Sequence, residues 1–404
     1  MSPAMISTLE DKAYRLPSLF QAPFRWTNKA RYASHRAQIR QVFSEHPQAK
    51  PSIIFPPSLD WRTQLFQRPQ QLAIALARQG ALVFYIQPRT AYTEPGITIL
   101  EDRLILCDLP AASFWFLKES WVYLLTWNWK YAAAFQNPQI IYDYLDELTV
   151  FQGYSHQLID RHNQLVHQAR LVLATAKKLY DDLALLRSDA LLCPNGVDFE
   201  FFATVRSQVG PPPDDLLPIL ATSRQIVGFH GALANWFDYE LLKSLAQLRP
   251  DLSFVLIGPD FDGALAHSGL LESPNIFWLG QKPYHKLPEY LQFFDVAMIP
   301  FKLNDVTHAI SPLKLFEYMA AGIPIVTTPM VEASRYPVVL ATSQAAEFSE
   351  KINQACQLKH DSDYLNQLKK TAQENTWDAR ALQILDAIQK TGRAAGFPVN
   401  SSPH

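Results

Sequence analysis

Several signatures are missing from this chain, and each absence removes a class of function. The three cysteines, Cys107, Cys193 and Cys356, are far apart and form no CxxC pair, which argues for a reducing compartment and against a disulfide framework or a cysteine zinc site. His156, His162 and His167 lack the HExxH spacing of a metalloprotease helix. No GxGxxG occurs, which counts against a nicotinamide dinucleotide. Lysine and arginine (36) nearly balance aspartate and glutamate (38), so the net charge of −2 makes no electrostatic case for a nucleic-acid partner. There is no uncharged apolar run of membrane-spanning length, and the start lacks the apolar core of a signal peptide. The expectation is a cytoplasmic protein.

What is present fits a well-packed chain. Apolar residues make up 48% and aromatics 12% of 404 residues, more than one core comfortably holds, so two domains are expected. Residues 1–50 stand apart. Lys12, Arg15, Arg25, Lys29, Arg31, Arg36, Arg40 and Lys50 outnumber Glu10, Asp11 and Glu45, a balance of +5, and aromatics are interleaved among them. One reading is peripheral contact with the anionic inner face of a membrane or a membrane-bound acceptor. The other, which is preferred, is an N-terminal extension with one amphipathic helix near 28–45 packed on the core.

From Pro51 the pattern becomes alternating strand and helix. Strands are expected at Ser52–Pro56, Ala81–Ile86, Ile97–Leu100, Leu104–Cys107, Gln139–Tyr142 and Leu171–Ala174, with helices at Arg68–Gly80, 152–169 and 176–186. Trp115 to Trp129 reads as an aromatic band of the core or of a domain face. A second series begins near Arg224, with strands at Ile226–Phe229, Ser253–Gly258, Ile276–Leu279 and Val296–Pro300 and helices at Phe237–Gln247 and Leu287–Phe294, then 345–357 and 363–374. The Pro-rich stretch around 209–215 reads as an interdomain linker. The expected plan is an α/β chain of two Rossmann-like domains, 51–205 and 224–376, joined by 206–223 and followed by a crossover helix and tail at 377–404. Both sheets are expected to be parallel and to face an interdomain cleft.

The most informative stretch is Ser311-Pro-Leu-Lys-Leu-Phe-Glu-Tyr-Met-Ala-Ala-Gly-Ile-Pro-Ile-Val-Thr-Thr328. Ser311 suits an N-cap, Pro312 the first helical position, and Gly322 followed by Pro324 a helix end. Lys314 puts a cation in the first turn, where the helix dipole favours an anion. A phosphate held by the helix amides and the Lys314 ammonium resolves that conflict. Glu317, one turn on, can accept hydrogen bonds from both hydroxyls of a ribose. The plainer alternative is a solvated surface ion pair.

Pro312-Leu-Lys-Leu-Phe-Glu-Tyr-Met-Ala-Ala-Gly-Ile-Pro-Ile-Val326 resembles the donor-site helix of the GT-B nucleotide-sugar glycosyltransferases, above all their group 1 branch (GT4-like), which includes the teichuronic-acid-type enzymes. Leu192-Cys-Pro-Asn-Gly-Val-Asp198 resembles the end of the first domain in that family, and Asn375-Thr-Trp-Asp-Ala-Arg380 the start of its last helix. The resemblance implies the GT-B fold and transfer of a hexosyl unit from a UDP- or GDP-sugar to a saccharide or lipid-linked acceptor in cell-surface polysaccharide or glycoconjugate synthesis. It implies neither cofactor nor metal. The donor set is then His230, Gly231, Ser311, Pro312, Leu313, Lys314 and Glu317. Catalytic candidates are Lys314, Lys302, Asp143 and Asp146, and acceptor contacts are expected at Asp60, Trp61 and Arg68. Two positions depart from the family pattern. Ala309 stands where retaining members carry Glu, and no Arg/Lys pair follows Gly231.

Alternatives within the fold are a nucleotide-sugar epimerase and a non-catalytic binding paralogue. Asp260-Phe-Asp262 imitates the metal-binding DxD of GT-A enzymes, but two α/β series argue against that fold. Ser311-x-x-Lys314, Tyr364-x-Asn366 and Lys390-Thr-Gly392 imitate the triplet of penicillin-recognising enzymes, with the last on a helical stretch where a strand is required.

Overall fold

The computed structural model describes residues 32–63, 66–88, 94–118, 120–151, 155–206 and 210–394. They form two compact units. Among the described residues the first comprises those of 32–175, 179–193 and 378–394, and the second those of 176–178 and 194–377.

The first unit is built on an eight-stranded sheet in the order β3-β4-β2-β1-β5-β6-β7-β8. Its strands are β1 (Ser52–Phe55), β2 (Leu82–Ile86), β3 (Ile97–Glu101), β4 (Leu104–Cys107), β5 (Trp121–Leu125), β6 (Gln139–Tyr144), β7 (Leu171–Ala174) and β8 (Leu191–Leu192). β2 and β5 are buried along their whole length, as continuous apolar runs covered on both faces must be. The aromatic band around 115–129 therefore contains an internal strand, with Tyr123 only 1% exposed. The expectation of a wholly parallel sheet fails at β3, which runs antiparallel to β4. Only Asp102 and Arg103 separate the two strands, and so short a link permits no parallel crossover.

In the second unit the sheet order is β11-β10-β9-β12-β13-β14, parallel at every pairing. The strands are β9 (Gln225–His230), β10 (Leu252–Ile257), β11 (Ile276–Trp278), β12 (Val296–Ile299), β13 (Ile325–Thr327) and β14 (Val339–Ala341). Chain order reverses between β9 and β12, the switch point at which such sheets bind ligands beyond the carboxyl ends of their strands.

The expected linker belongs to this second unit. Leu216 and Ile219 are 0% and 2% exposed within its hydrophobic core, alongside Phe202 and Val205, because apolar side chains spaced along 202–219 have a core to enter. The unit boundary falls near residue 193, and Pro194-Asn-Gly is already part of the second unit. The helix Trp377–Ala394 returns to the first unit from Asp378 onward, where Gln383 Nε2 donates to the Leu192 carbonyl at 2.9 Å.

The N-terminal amphipathic helix is found at Ala33–Glu45 and packs on the first unit. Ile39 and Val42 are buried, and the Phe43 ring lies 5.4 Å from Phe84. Residues 1–31, which carry most of the expected basic extension, lie outside the described residues. Among the described residues no helix is long and apolar enough to cross a membrane.

Candidate functional site

Between β12 and β13 runs the helix Leu313–Ala320. Its end follows the sequence expectation: Gly322 adopts φ 66°, and the Ile323 N–H reaches back to the Tyr318 carbonyl at 3.0 Å. Its start does not. Pro312, extended at φ −69° and ψ 117°, is the N-cap, and Ser311 is one residue too early to cap. Ser311 Oγ instead accepts the Asn195 N–H at 3.1 Å, while Asn195 Nδ2 donates to the Ser311 carbonyl at 2.6 Å. The helix thus opens with no side-chain cap; the Leu315 N–H is given to the Pro312 carbonyl at 3.1 Å, and the two amides before it have no helix carbonyl to reach.

Lys314 and Glu317 do not sit on a solvated face. Glu317 is 5% exposed, and Lys314 lies half-buried with its ammonium 5.2 Å from the Phe229 ring and 5.0 Å from the Phe301 ring. Phe229 belongs to β9 and Phe301 follows β12, so the helix start is docked at the switch point of the sheet. Gly231, just beyond β9 with φ 133°, makes the approach feasible. A Cβ at that position would meet Lys314 Cε at 2.6 Å and Nζ at 2.9 Å. The Gly231 N–H itself is given to the Ile257 carbonyl at 2.8 Å, so this glycine makes room for a lysine and offers no amide to a phosphate. Gly258, after β10, is required for the same turn: a Cβ there would lie 1.9 Å from the Gly231 carbonyl oxygen.

His230 completes the group. Its backbone N–H donates to Tyr318 Oη at 2.9 Å, and its ring stands edge-on to the Tyr318 ring at 4.9 Å. Nε2 lies 3.3 Å from Glu317 Oε2, but the geometry makes no hydrogen bond, leaving the nitrogen buried and unpartnered. Burial, helped by the Lys314 charge, lowers His230 to about 3, so the imidazole is neutral. Burial lowers Lys314 to about 8 against the pull of Glu317. It raises Glu317 to about 7, against the Lys314 charge and a hydrogen bond from Tyr284. No ion pair joins Lys314 to Glu317 among the described residues. Tyr284, stacked on Phe201 at 5.6 Å, and the ring pair around Lys314 were not anticipated from sequence; only tertiary packing brings residues so distant in the chain together.

Lys302, directly after Phe301, is exposed. Its backbone is pinned on both sides, the N–H donating to the Trp236 carbonyl at 2.8 Å and its carbonyl accepting the Thr307 hydroxyl. Ala309 is fully buried. The Asp260-Phe-Asp262 imitation resolves into backbone capping. Asp260 accepts the Leu265 and Ala266 N–H groups, and Asp262 those of Asn235 and Ala264. Among the described residues no cluster of His, Cys, Asp and Glu could hold a metal.

The first unit separates its predicted residues. Arg68 (4% exposed) and Asp143 (0%) form a buried ion pair, with Nε to Oδ2 at 2.7 Å and Nη2 to Oδ1 at 3.2 Å, and Tyr123 donates to the same carboxylate. This corrects two expectations. A carboxylate with both oxygens occupied and no exposure cannot take a proton from an acceptor, and a guanidinium so enclosed cannot contact one. Asp60 is exposed on the loop after β1, and its carboxylate accepts the Arg62 N–H at 2.8 Å. Trp61 gives its N–H to Gln87 Oε1 at 2.7 Å and sets its ring 5.0 Å from Tyr85. Asp146, two residues beyond β6, is half-buried; burial and then the Asp143 charge raise its carboxyl to about 6.

Comparison with known proteins fits this geometry. Residues 224–357 match the model of the family Glycosyl transferases group 1. A Bacillus subtilis protein named as a teichuronic acid biosynthesis glycosyltransferase, TuaH, is 32% identical over 142 residues, which are 35% of this chain and 34% of that relative. The match therefore spans about a third of the relative's length. Among solved structures, sucrose-phosphate synthase from Thermosynechococcus elongatus superposes with a TM-score of 0.61 at 16% identity, over 85% of this chain and 100% of the other. Anabaena HepE in complex with UDP-glucose does so with a TM-score of 0.60 at 15% identity, over 84% and 99%. The chain has the GT-B fold, and residues 224–357 of its second unit are similar to the group 1 glycosyltransferase family.

Proposed function

We propose that the protein is a glycosyltransferase that moves a hexosyl unit from a UDP- or GDP-linked sugar, without a metal ion, to a saccharide or lipid-linked acceptor in surface-polysaccharide or glycoconjugate synthesis. The observation that carries the reading is the electrostatics of the Leu313–Ala320 helix. A lysine, a glutamate and a neutral histidine share one buried corner at an uncapped helix start, each shifted toward its uncharged form. A diphosphate against Lys314 and the first amides supplies the missing counter-charge, and Glu317, ionised, accepts from the ribose hydroxyls. As the sugar–phosphate bond breaks, negative charge grows on the departing diphosphate, where the Lys314 ammonium and the helix start stabilise it. Lys302 is a second cation for the same oxygens. His230, uncharged, can share a hydrogen with diphosphate or sugar without adding charge.

The HepE complex contains UDP-glucose on the same fold, which supports a nucleotide-sugar donor, and the TuaH likeness supports a surface-polysaccharide pathway. The test is a thermal-shift panel of UDP- and GDP-sugars on the wild type, Lys314→Ala and Glu317→Ala. Selective stabilisation of the wild type that both variants lose supports the site; equal stabilisation of all three removes it.

A second reading, a nucleotide-sugar-binding protein without transfer, is favoured by Ala309. Slow release of UDP from UDP-glucose by the wild type, abolished in Lys314→Ala, would exclude it.

A further inference from the structure

Lys314 and Glu317 stand one turn apart on the helix Leu313–Ala320, the spacing at which a lysine and a glutamate ordinarily pair. Glu317 is buried and Lys314 half-buried, which strengthens the attraction by lowering the local dielectric. Among the described residues they nevertheless form no ion pair, and each charge is met by something else. The ammonium is seated on carbon. Phe229 and Phe301 present their ring centres to it at 5.2 and 5.0 Å, and the two rings meet edge to face at 6.1 Å. Both rings are locked in place. Phe229 is fully buried with Phe237 edge-on at 5.0 Å, and Phe301 is 3% exposed, its carbonyl accepting the Thr328 hydroxyl at 2.6 Å. The lysine stem reaches them across Gly231, where a Cβ would stand 2.6 Å from Cε.

The carboxylate has its own tether. Tyr284, in the turn after β11, hydrogen-bonds to Glu317. Its ring stacks on Phe201 at 5.6 Å and meets Phe202 edge-on at 5.7 Å, and both phenylalanines belong to the short helix Phe199–Ala203, which Asp198 caps. His230, at the end of β9, places Nε2 3.3 Å from Glu317 Oε2 without making a hydrogen bond, and the Tyr318 hydroxyl is engaged by the His230 N–H.

The separation matters because the corner is poor in cations. No arginine or lysine lies between Gly231 and Lys243, so an ammonium already claimed by Glu317 would leave little for a diphosphate. An aromatic seat suits the purpose: it stabilises the ammonium yet, unlike a carboxylate, leaves its charge uncancelled. We propose that Phe229, Phe301 and Tyr284 are positioning residues that keep Lys314 and Glu317 apart, the rings by seating the ammonium and the phenol by tethering the carboxylate, so that each faces a ligand. The proposal rests on the nucleotide-sugar reading of this corner and adds how the free protein holds two opposite charges unpaired one turn apart.

Calorimetric titration of the full-length protein with UDP and with inorganic pyrophosphate, which has no ribose to engage Glu317, tests the separation. Both ligands are expected to bind the wild type, and Phe301→Leu and Tyr284→Phe to weaken each about tenfold. Adding Glu317→Gln to either variant removes the competing carboxylate and should restore pyrophosphate affinity to that of Glu317→Gln alone. A second readout needs no ligand. Lys314, lowered to about 8 by burial, is expected to react with acetic anhydride near neutral pH. Pairing with Glu317 should slow that acylation several-fold in Phe301→Leu and Tyr284→Phe, as peptide mass spectrometry measures. A pyrophosphate loss that Glu317→Gln does not recover, or an acylation rate that neither variant slows, overturns the proposal, since side chains that only fill space predict both. Should Phe301→Leu fail to fold, Tyr284→Phe, which keeps the stack on Phe201, decides the matter. A wild type that binds neither ligand while its acylation pattern holds condemns the nucleotide-sugar reading and leaves the separation standing.

Discussion

In the first unit Arg68 and Asp143 are buried as a closed pair, two N–H···O bonds with a tyrosine hydroxyl completing the carboxylate. In the second, Glu317 and His230 are buried and Lys314 half-buried, without an ion pair between Lys314 and Glu317, and all three are pushed toward neutrality. The contrast separates two uses of buried charge. A closed pair is a structural element with nothing left to offer a ligand. An open set is under electrostatic strain that a bound anion relieves, the condition expected of a functional site.

Breaking the closed pair is expected to have the largest effect. Asp143→Ala leaves a buried guanidinium without its partner and should cost about 3–5 kcal/mol, whereas Arg68→Met with Asp143→Leu should lie near the wild type. Urea unfolding followed through the first unit checks both. An Asp143→Ala protein as stable as the wild type would erase the distinction between the units.

The open set should behave in the reverse sense. Lys314→Met is expected to weaken UDP-glucose binding about 10–100-fold, yet the ligand-free melting temperature should hold or rise, because an uncompensated charge has been removed. Calorimetric titration and thermal melts on one sample measure the two effects together.

A smaller effect lies in the pH dependence of the free protein. Glu317, ordinarily near 4.5, holds its proton to about 7 in the folded state, so stability falls as pH rises between those values. Lys314, ordinarily near 10.5, releases its proton from about 8 when folded, so stability recovers as pH rises from 8 toward 10.5. The free protein should therefore have a shallow stability minimum between pH 7 and 8, where both groups are charged and the diphosphate binds best. Glu317→Gln should flatten the acid side of that minimum and Lys314→Met the alkaline side. Smallest of all, EDTA should leave UDP affinity unchanged, since Asp260 and Asp262 are engaged by backbone amides; an EDTA-sensitive affinity would return those aspartates to the site.

Much of the second unit was legible in sequence because its signals are local. Apolar runs near 226–229, 253–258 and 296–300 marked strands, and Gly322 with Pro324 marked a helix end. The first unit was harder. β5 lay hidden in a stretch aromatic throughout, where no alternation marks the strand, and β14 of the second unit was too short to register. Arg68 and Asp143 were noticed as charged residues near strand ends, but sequence carries no sign that residues 75 positions apart have neutralised each other. Tyr284, Gly258 and the rings of Phe229 and Phe301 entered the corner around Lys314 and Glu317 only through folding.

The sequence by itself determined the alternation of strand and helix, the resemblance carried by the Pro312–Val326 run, and the placing of Lys314 one turn before Glu317, since these depend on residue type and helical spacing. Only the tertiary structure decided which buried charges are closed and which are open. That outcome depends on what each charge meets across the sheet, and a guanidinium facing a carboxylate is neutralised while an ammonium facing two phenyl rings is not.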